Sequence, residues 1–244
     1  MIKKEKTLLV LGGSSDMGMR LIFDTEKIYS KIIVQYRTES KELLYLKNRI
    51  GEKIELIKCD FFNSDEIESM MNYIIDKEFF PDHIVHFAAT KLENQRFHKL
   101  DWSIFQKEID VSLKSVVIVL NKFIPIMRKQ KYGKIVIMLS QVVNNMPYPN
   151  ISNYVVAKYA LLGLVKSLAV EYAKDGITVN AISPSMVNTK FISEQPDILI
   201  RNHSEKSLIG RILECDDVVP SIRFLLSDEA DCINGQNVSI NCGE

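Results

Sequence analysis

Short apolar runs alternate along the chain with longer stretches of helical period. Residues 7–11, 31–36, 54–58, 84–88, 134–139, 178–182 and 237–241 are short, β-branched and apolar at successive positions. That is the pattern of strands buried on both faces of a parallel sheet. Between them, residues 17–28, 41–50, 64–77, 102–129, 151–174 and 214–226 carry apolar positions at helical spacing. Asp216 and Asp217 fall in the first turn of the last helix, where its dipole favours negative charge. The alternation predicts an α/β fold, a doubly wound parallel sheet with right-handed crossovers. Residues 183–208 lack a clear period and contain Pro184 and Pro196. They are expected to form a long loop with one short helix, and loops of that length usually serve as lids or binding loops.

No linker, repeat or low-complexity tract interrupts the pattern, so the 244 residues read as a single domain, 1–244, with a lid near 185–208. Thirty-one basic residues balance 31 acidic ones. That balance lacks the electrostatic footprint of a nucleic-acid binder and offers no polybasic patch to a membrane. The longest aliphatic run in the middle of the chain, residues 116–120, falls far short of the roughly 20 residues of a membrane span. This run predicts either contact with another subunit or burial in the monomer core. The apolar residues 7–11 run straight into Gly12-Gly13 without a cleavage site, so they are read as a first strand rather than a leader. Cys59, Cys215, Cys232 and Cys242 form no CxxC pair and no zinc spacing, as expected of reduced thiols in a cytoplasmic protein. His83 and His86 would point to opposite faces of a strand, so no metal site is expected there.

Candidate chemistry begins at the first strand–helix junction, Gly12-Gly13-Ser14-Ser15-Asp16-Met17-Gly18. Glycines there let backbone amides approach a pyrophosphate at a helix N-terminus, although a plain tight turn would use the same residues. The second strand leads to Arg37, with no acidic residue before Glu39. A guanidinium suits a 2′-phosphate, so NADP(H) is favoured and NAD(H) stays open. Tyr154 and Lys158 lie one helical turn apart. A neighbouring ammonium favours the phenolate and makes the pair a credible proton donor and acceptor. Ser140 closes the fifth strand, whose carboxyl end faces the ligand crevice.

Taken together in order, these residues resemble the short-chain dehydrogenases/reductases, in particular the 3-oxoacyl-carrier-protein reductase type. The resemblance also takes in Cys59-Asp60, the stretch 177–184 (ITVNAISP), and LLSDEA at 225–230 followed by INGQ at 233–236. It implies a Rossmann-like sheet of strand order 3-2-1-4-5-6-7 and hydride transfer between a nicotinamide cofactor and a carbonyl or alcohol. Residue by residue, it assigns proton donation to Tyr154, ribose binding and phenol tuning to Lys158, carbonyl polarisation to Ser140 and a proton-relay water to Ser112. Cofactor contacts are assigned to Gly12, Ser14, Ser15, Met17, Gly18, Arg37, Asp60, Phe61, Ala88, Tyr154, Lys158, Pro184, Val187 and Thr189.

Several residues depart from the family pattern. Asp16 replaces the middle glycine of the turn, which is unfavourable beside a pyrophosphate unless the carboxylate turns away to cap the helix. His86-Phe87-Ala88-Ala89 stands where the family has Asn-Asn-Ala-Gly, Ser112 where it has asparagine, and Ser185 where a glycine follows the proline. The expected activity is NADP(H)-dependent reduction of a ketone, first a 3-oxoacyl thioester. Sugar, polyketide or other carbonyls are alternatives, as is a catalytically weak cofactor sensor or partner subunit. The partners expected are a small carbonyl or alcohol substrate, a second copy of the chain in a homodimer or homotetramer, and an acyl carrier protein. The dispersed Lys190, Arg201 and Lys206 weigh against the carrier.

Overall fold

The computed structural model describes residues 5–193 and 195–243. The strands are β1 (Thr7–Leu11), β2 (Lys31–Tyr36), β3 (Ile54–Lys58), β4 (His83–His86), β5 (Gly133–Met138), β6 (Ile177–Pro184) and β7 (Asn237–Ile240). They form one parallel sheet in the order β3-β2-β1-β4-β5-β6-β7, the order implied by the resemblance. The helices are α1 (Asp16–Thr25), α2 (Lys41–Ile50), α3 (Ser64–Asp76), α4 (Trp102–Ile109), α5 (Ser115–Gln130), α6 (Ser152–Tyr172), α7 (Asp197–Lys206) and α8 (Cys215–Leu226).

Strand alternation sends side chains to two separate cores. Leu9 and Leu11 join Ile67 of α3, Phe123 of α5 and Leu161 of α6, whereas Leu8 and Val10 join Leu21 of α1, Leu43 of α2 and Ile222 of α8. Both faces of the sheet are therefore covered, which is why its strands read as continuous apolar runs. The helix starts are set by local chemistry. Ser15, Ser40, Asn63 and Asp101 accept hydrogen bonds from first-turn amides of α1 to α4. Glu214 and Asp217 form a reciprocal capping box on α8.

Several boundaries differ from the expected ones by a few residues. β4 begins at His83 and ends at His86, and β6 extends to Pro184. The helix expected over 102–129 is two helices, α4 and α5, joined by a π turn at Asp110–Lys114. The turn is set by backbone hydrogen bonding and carries no glycine or proline to mark it in the sequence. Of the run 116–120, Val116, Val119 and Leu120 are buried in the monomer core, which settles most of that segment on the intramolecular side. Helix α6 is long and apolar enough to span a membrane by length and composition, yet it packs against β6 and α4. The expected short helix of the lid is α7, ten residues long.

Candidate active site

The strand order reverses between β1 and β4, and ligands of open α/β sheets collect outside the carboxyl ends of the strands there. Around this switch point lie the turn after β1, Ala88 after β4, Ser140 after β5 and Pro184 at the end of β6. Two adjoining hollows open there, one of about 250 Å³ and one of about 570 Å³.

The smaller hollow is lined by Gly12, Ser14, Ser15, Arg37, Asp60, Phe61 and Ala88. Gly12 has φ +74°, and a Cβ there would lie 2.7 Å from the Ala88 nitrogen. A Cβ on Gly18 would lie 2.7 Å from the Gly13 Cα. Only glycine fits these two positions, so the cradle matches one that takes a pyrophosphate. The buried Gln35 fixes it from below: its Oε1 accepts from the Gly12 amide at 2.7 Å and its Nε2 donates to the Cys59 carbonyl at 2.7 Å. Sequence reasoning passed over Gln35, because a polar residue inside a strand carries no motif. Arg37 stands exposed at the rim with no ion-pair partner among the described residues. The Asp60 carboxylate accepts from the Phe62 amide at 3.0 Å, which orders the turn after β3. These residues fit the adenosine half of a dinucleotide, with Arg37 placed for a phosphate.

Asp16 does not cap the helix as expected. Ser15 caps α1, with its Oγ accepting from the Gly18 amide, while the Asp16 carboxylate accepts from the Lys190 amide of the lid at 2.6 Å. The carboxylate thus ties the turn after β1 to the segment between β6 and α7.

The larger hollow runs from Ser14, Ser15 and Met17 past Ser140, Tyr154 and Lys158 to the lid. Its walls are mostly apolar, with Met138, Met146, Ile151, Phe191, Ile192 and Leu208 among them. Pro184, Val187 and Thr189 line its inner edge. That edge is held in place because Val187 bridges to Leu213 and the Thr189 hydroxyl donates to the Val187 carbonyl. His203 of α7 also lines it and meets Tyr148 at 2.8 Å.

Ser140, Tyr154 and Lys158 converge on the floor of this hollow. Ser140 caps the short turn after β5 and lies within hydrogen-bonding reach of the Tyr154 phenol. The Lys158 ammonium is 5.4 Å from the Tyr154 ring centroid and donates to the Met138 carbonyl at 2.9 Å. Burial pushes the phenol well above its usual range, with Ser140 opposing and Glu108 adding to the rise. Burial also pushes Lys158 down to about 8, and Glu108 works against that fall.

Ser112 is completely buried in the π turn and donates to Glu108 at 2.7 Å. Thr90 also donates to Glu108. Sequence reasoning missed Glu108, since a single acidic residue in a helix reads as a solvated face. The carboxyl end of β4 adds His86, fully buried and pushed down to about 3 by burial and by Lys158.

Comparisons with known proteins agree with this geometry. A sequence profile described as "Enoyl-(Acyl carrier protein) reductase" matches residues 30–244. The 3-oxoacyl-[acyl-carrier-protein] reductase FabG of Rickettsia prowazekii (strain Madrid E) is 30% identical, covering 98% of this chain and 96% of its own. That of Staphylococcus aureus (strain Mu50 / ATCC 700699) is 29% identical over 99% of each. The solved structure of ElxO with NADP bound superimposes with a TM-score of 0.87 at 24% identity, covering 98% of both chains. On the profile match and these full-length relatives, the chain belongs to the short-chain dehydrogenase/reductase family and is an NAD(P)-dependent oxidoreductase.

Proposed function

We propose that the chain is an NADPH-dependent reductase of apolar ketones, with 3-oxoacyl thioesters as the first candidate substrates. The observation that carries this reading is the placing of Ser140, Tyr154 and Lys158 on the floor of an apolar cleft beside a glycine cradle. The thioester preference is supported by the names of the full-length relatives.

The nicotinamide cofactor, when bound, supplies the hydride. The Ser140 hydroxyl donates to the carbonyl oxygen of the substrate and stabilises the negative charge that develops on it. Tyr154 gives its proton to that oxygen as the alkoxide forms. Burial, which keeps the phenol protonated, suits a proton donor. The Lys158 ammonium balances the phenolate left behind and holds the nicotinamide ribose. Gly12, Ser14, Ser15, Met17 and Gly18 cradle the pyrophosphate, Asp60 and Phe61 border the adenine, and Arg37 forks onto the 2′-phosphate. Ala88, Pro184, Val187 and Thr189 frame the nicotinamide end. The apolar lining favours an alkyl or aryl chain over a sugar.

We further propose a cytoplasmic enzyme working as a homodimer or homotetramer. The four cysteines are free, and α6 presents Val156, Tyr159 and Val170 on its exposed side.

The decisive experiment follows NADPH oxidation by the purified chain with an acetoacetyl thioester, using Tyr154→Phe as the blank. Turnover that vanishes in the variant, with NADPH affinity nearly unchanged, supports the assignment. Equal rates would remove Tyr154 from the chemistry. Tight NADPH binding without turnover would move the search to other ketones. Such binding without turnover would also favour the weak-sensor reading, whereas an absence of binding would mean that Asp16 has undone the cofactor site.

A further inference from the structure

Helix α7 leaves Ile198 and Leu199 exposed and buries a histidine, His203, at 6% exposure. Among the described residues, no other helix or strand packs broadly against α7, so the sheet does not hold it as it holds the other helices. His203 instead reaches two loops of the cleft at once. The Met186 amide, two residues past the end of β6, donates to its Nε2 at 3.3 Å. Its Nδ1 lies 2.8 Å from the hydroxyl of Tyr148, in the loop between Ser140 and α6. A ring nitrogen that accepts carries no proton, so the imidazole proton sits on Nδ1 and is donated to the Tyr148 oxygen. The two rings also meet edge to face, with centroids 6.0 Å apart. Tyr148, Met186 and His203 all line the larger hollow, as do Lys206 and Leu208 at the end of α7 and just beyond it. One imidazole thus joins the lid helix both to the loop leading from Ser140 to Tyr154 and to the loop that follows β6.

We propose that His203 is a positioning residue: by bridging Tyr148 and Met186 it holds α7 as a wall of the cleft, and so decides how large a ketone the cleft admits. This rests on the reading of the cleft as the ketone site. With the bridge broken, the cleft is complete for only part of the time, and the apparent affinity of a ketone falls by that fraction. A short ketone, which depends on the wall to bury its surface, loses most. A longer one reaches other apolar residues of the lining, such as Met146 and Ile192, and loses less. The chemistry proposed for Ser140, Tyr154 and Lys158 is untouched, so the effect falls on ketone binding.

The test compares the full chain with His203→Leu, which keeps much of the side-chain bulk and removes both hydrogen bonds. Hydrogen exchange read by mass spectrometry should show the α7 amides exchanging about ten-fold faster, with those of the sheet unchanged. At saturating NADPH, KM for an acetoacetyl thioester should rise about ten-fold with kcat nearly unchanged, and the penalty should shrink for longer 3-oxoacyl chains. Tyr148→Phe, which removes only the hydroxyl, should give smaller changes of the same kind, and serves if the leucine variant fails to fold. Added to His203→Leu it should do little more, because the two side chains act through one contact. Unchanged exchange of α7 in a folded variant overturns the proposal. So does faster exchange with ketone KM and chain-length preference unmoved, which would leave His203 a structural tie. A loss confined to kcat or to NADPH affinity would overturn it as well. If the chain reduces no ketone, the exchange result still decides whether His203 holds the wall, and only the reductase reading falls.

Discussion

At the scale of single residues, the proposed cofactor site makes two charges, Arg37 and Asp16, testable. Arg37 is exposed and lines the hollow proposed for adenosine. A charge-assisted contact to a 2′-phosphate is worth about 1.5–3 kcal/mol, less when solvent reaches it. Arg37→Ala should therefore weaken NADPH binding about ten-fold and leave NADH binding nearly unchanged, as read by nucleotide fluorescence. An equal loss for both would sink the NADP assignment. Asp16 acts in the opposite sense. Its carboxylate sits in the pyrophosphate turn and accepts from the Lys190 amide, so Asp16→Gly should tighten NADPH binding by about ten-fold through lost repulsion. The same change should lower stability by about 1 kcal/mol, since glycine is a poor helix former in the first turn of α1. Weaker NADPH binding in this variant would mean that the tie to the lid matters more than the repulsion. Arg37 and Asp16 were legible as charges in the sequence; the partner of Asp16 was not, because Lys190 is 174 positions away.

At the scale of elements, the strands and most helices were legible because each buries an apolar face whose period is local. The split of the long helix into α4 and α5 was not. Its cause is the π turn at Asp110–Lys114, where the Ser115 hydroxyl donates to the Val111 carbonyl, a change of backbone hydrogen bonding that residue type does not announce. The glycine turn was legible as a motif, but its necessity comes from β4 packing beside it. Gly12→Ala would place a methyl group 2.7 Å from the Ala88 nitrogen at φ +74°. Strain of this kind costs about 1–3 kcal/mol. The variant should melt at lower temperature and lose most of its NADPH affinity; an unchanged fluorescence titration would show that the cradle is not where the pyrophosphate binds.

At the scale of the whole molecule, two buried histidines couple stability to pH. His83, between the Tyr29 and Tyr132 hydroxyls, and His86 are each pushed down to about 3 by burial. Between pH 6.5 and 3 the unfolded chain binds these protons and the folded chain does not. Stability should therefore fall as pH drops through that window, by about 1.4 kcal/mol per pH unit for each histidine. Thermal melts across it, compared with His86→Asn, should show a shallower slope in the variant. The exposed Val156, Tyr159 and Val170 predict self-association. Light scattering should give a multiple of 28.0 kDa, and Val170→Glu should shift it towards the monomer. By itself the sequence determined the α/β class and the glycine turn, since short-range patterns and local spacing encode both, while Ser140, Tyr154 and Lys158 were singled out as candidates by the family resemblance. Only the tertiary structure decided that Asp16 holds the Lys190 amide, that Ser112 serves a buried carboxylate, and that burial governs Tyr154 and Lys158. Those outcomes depend on which distant groups share a poorly solvated space, and that is set by how the helices close over the sheet.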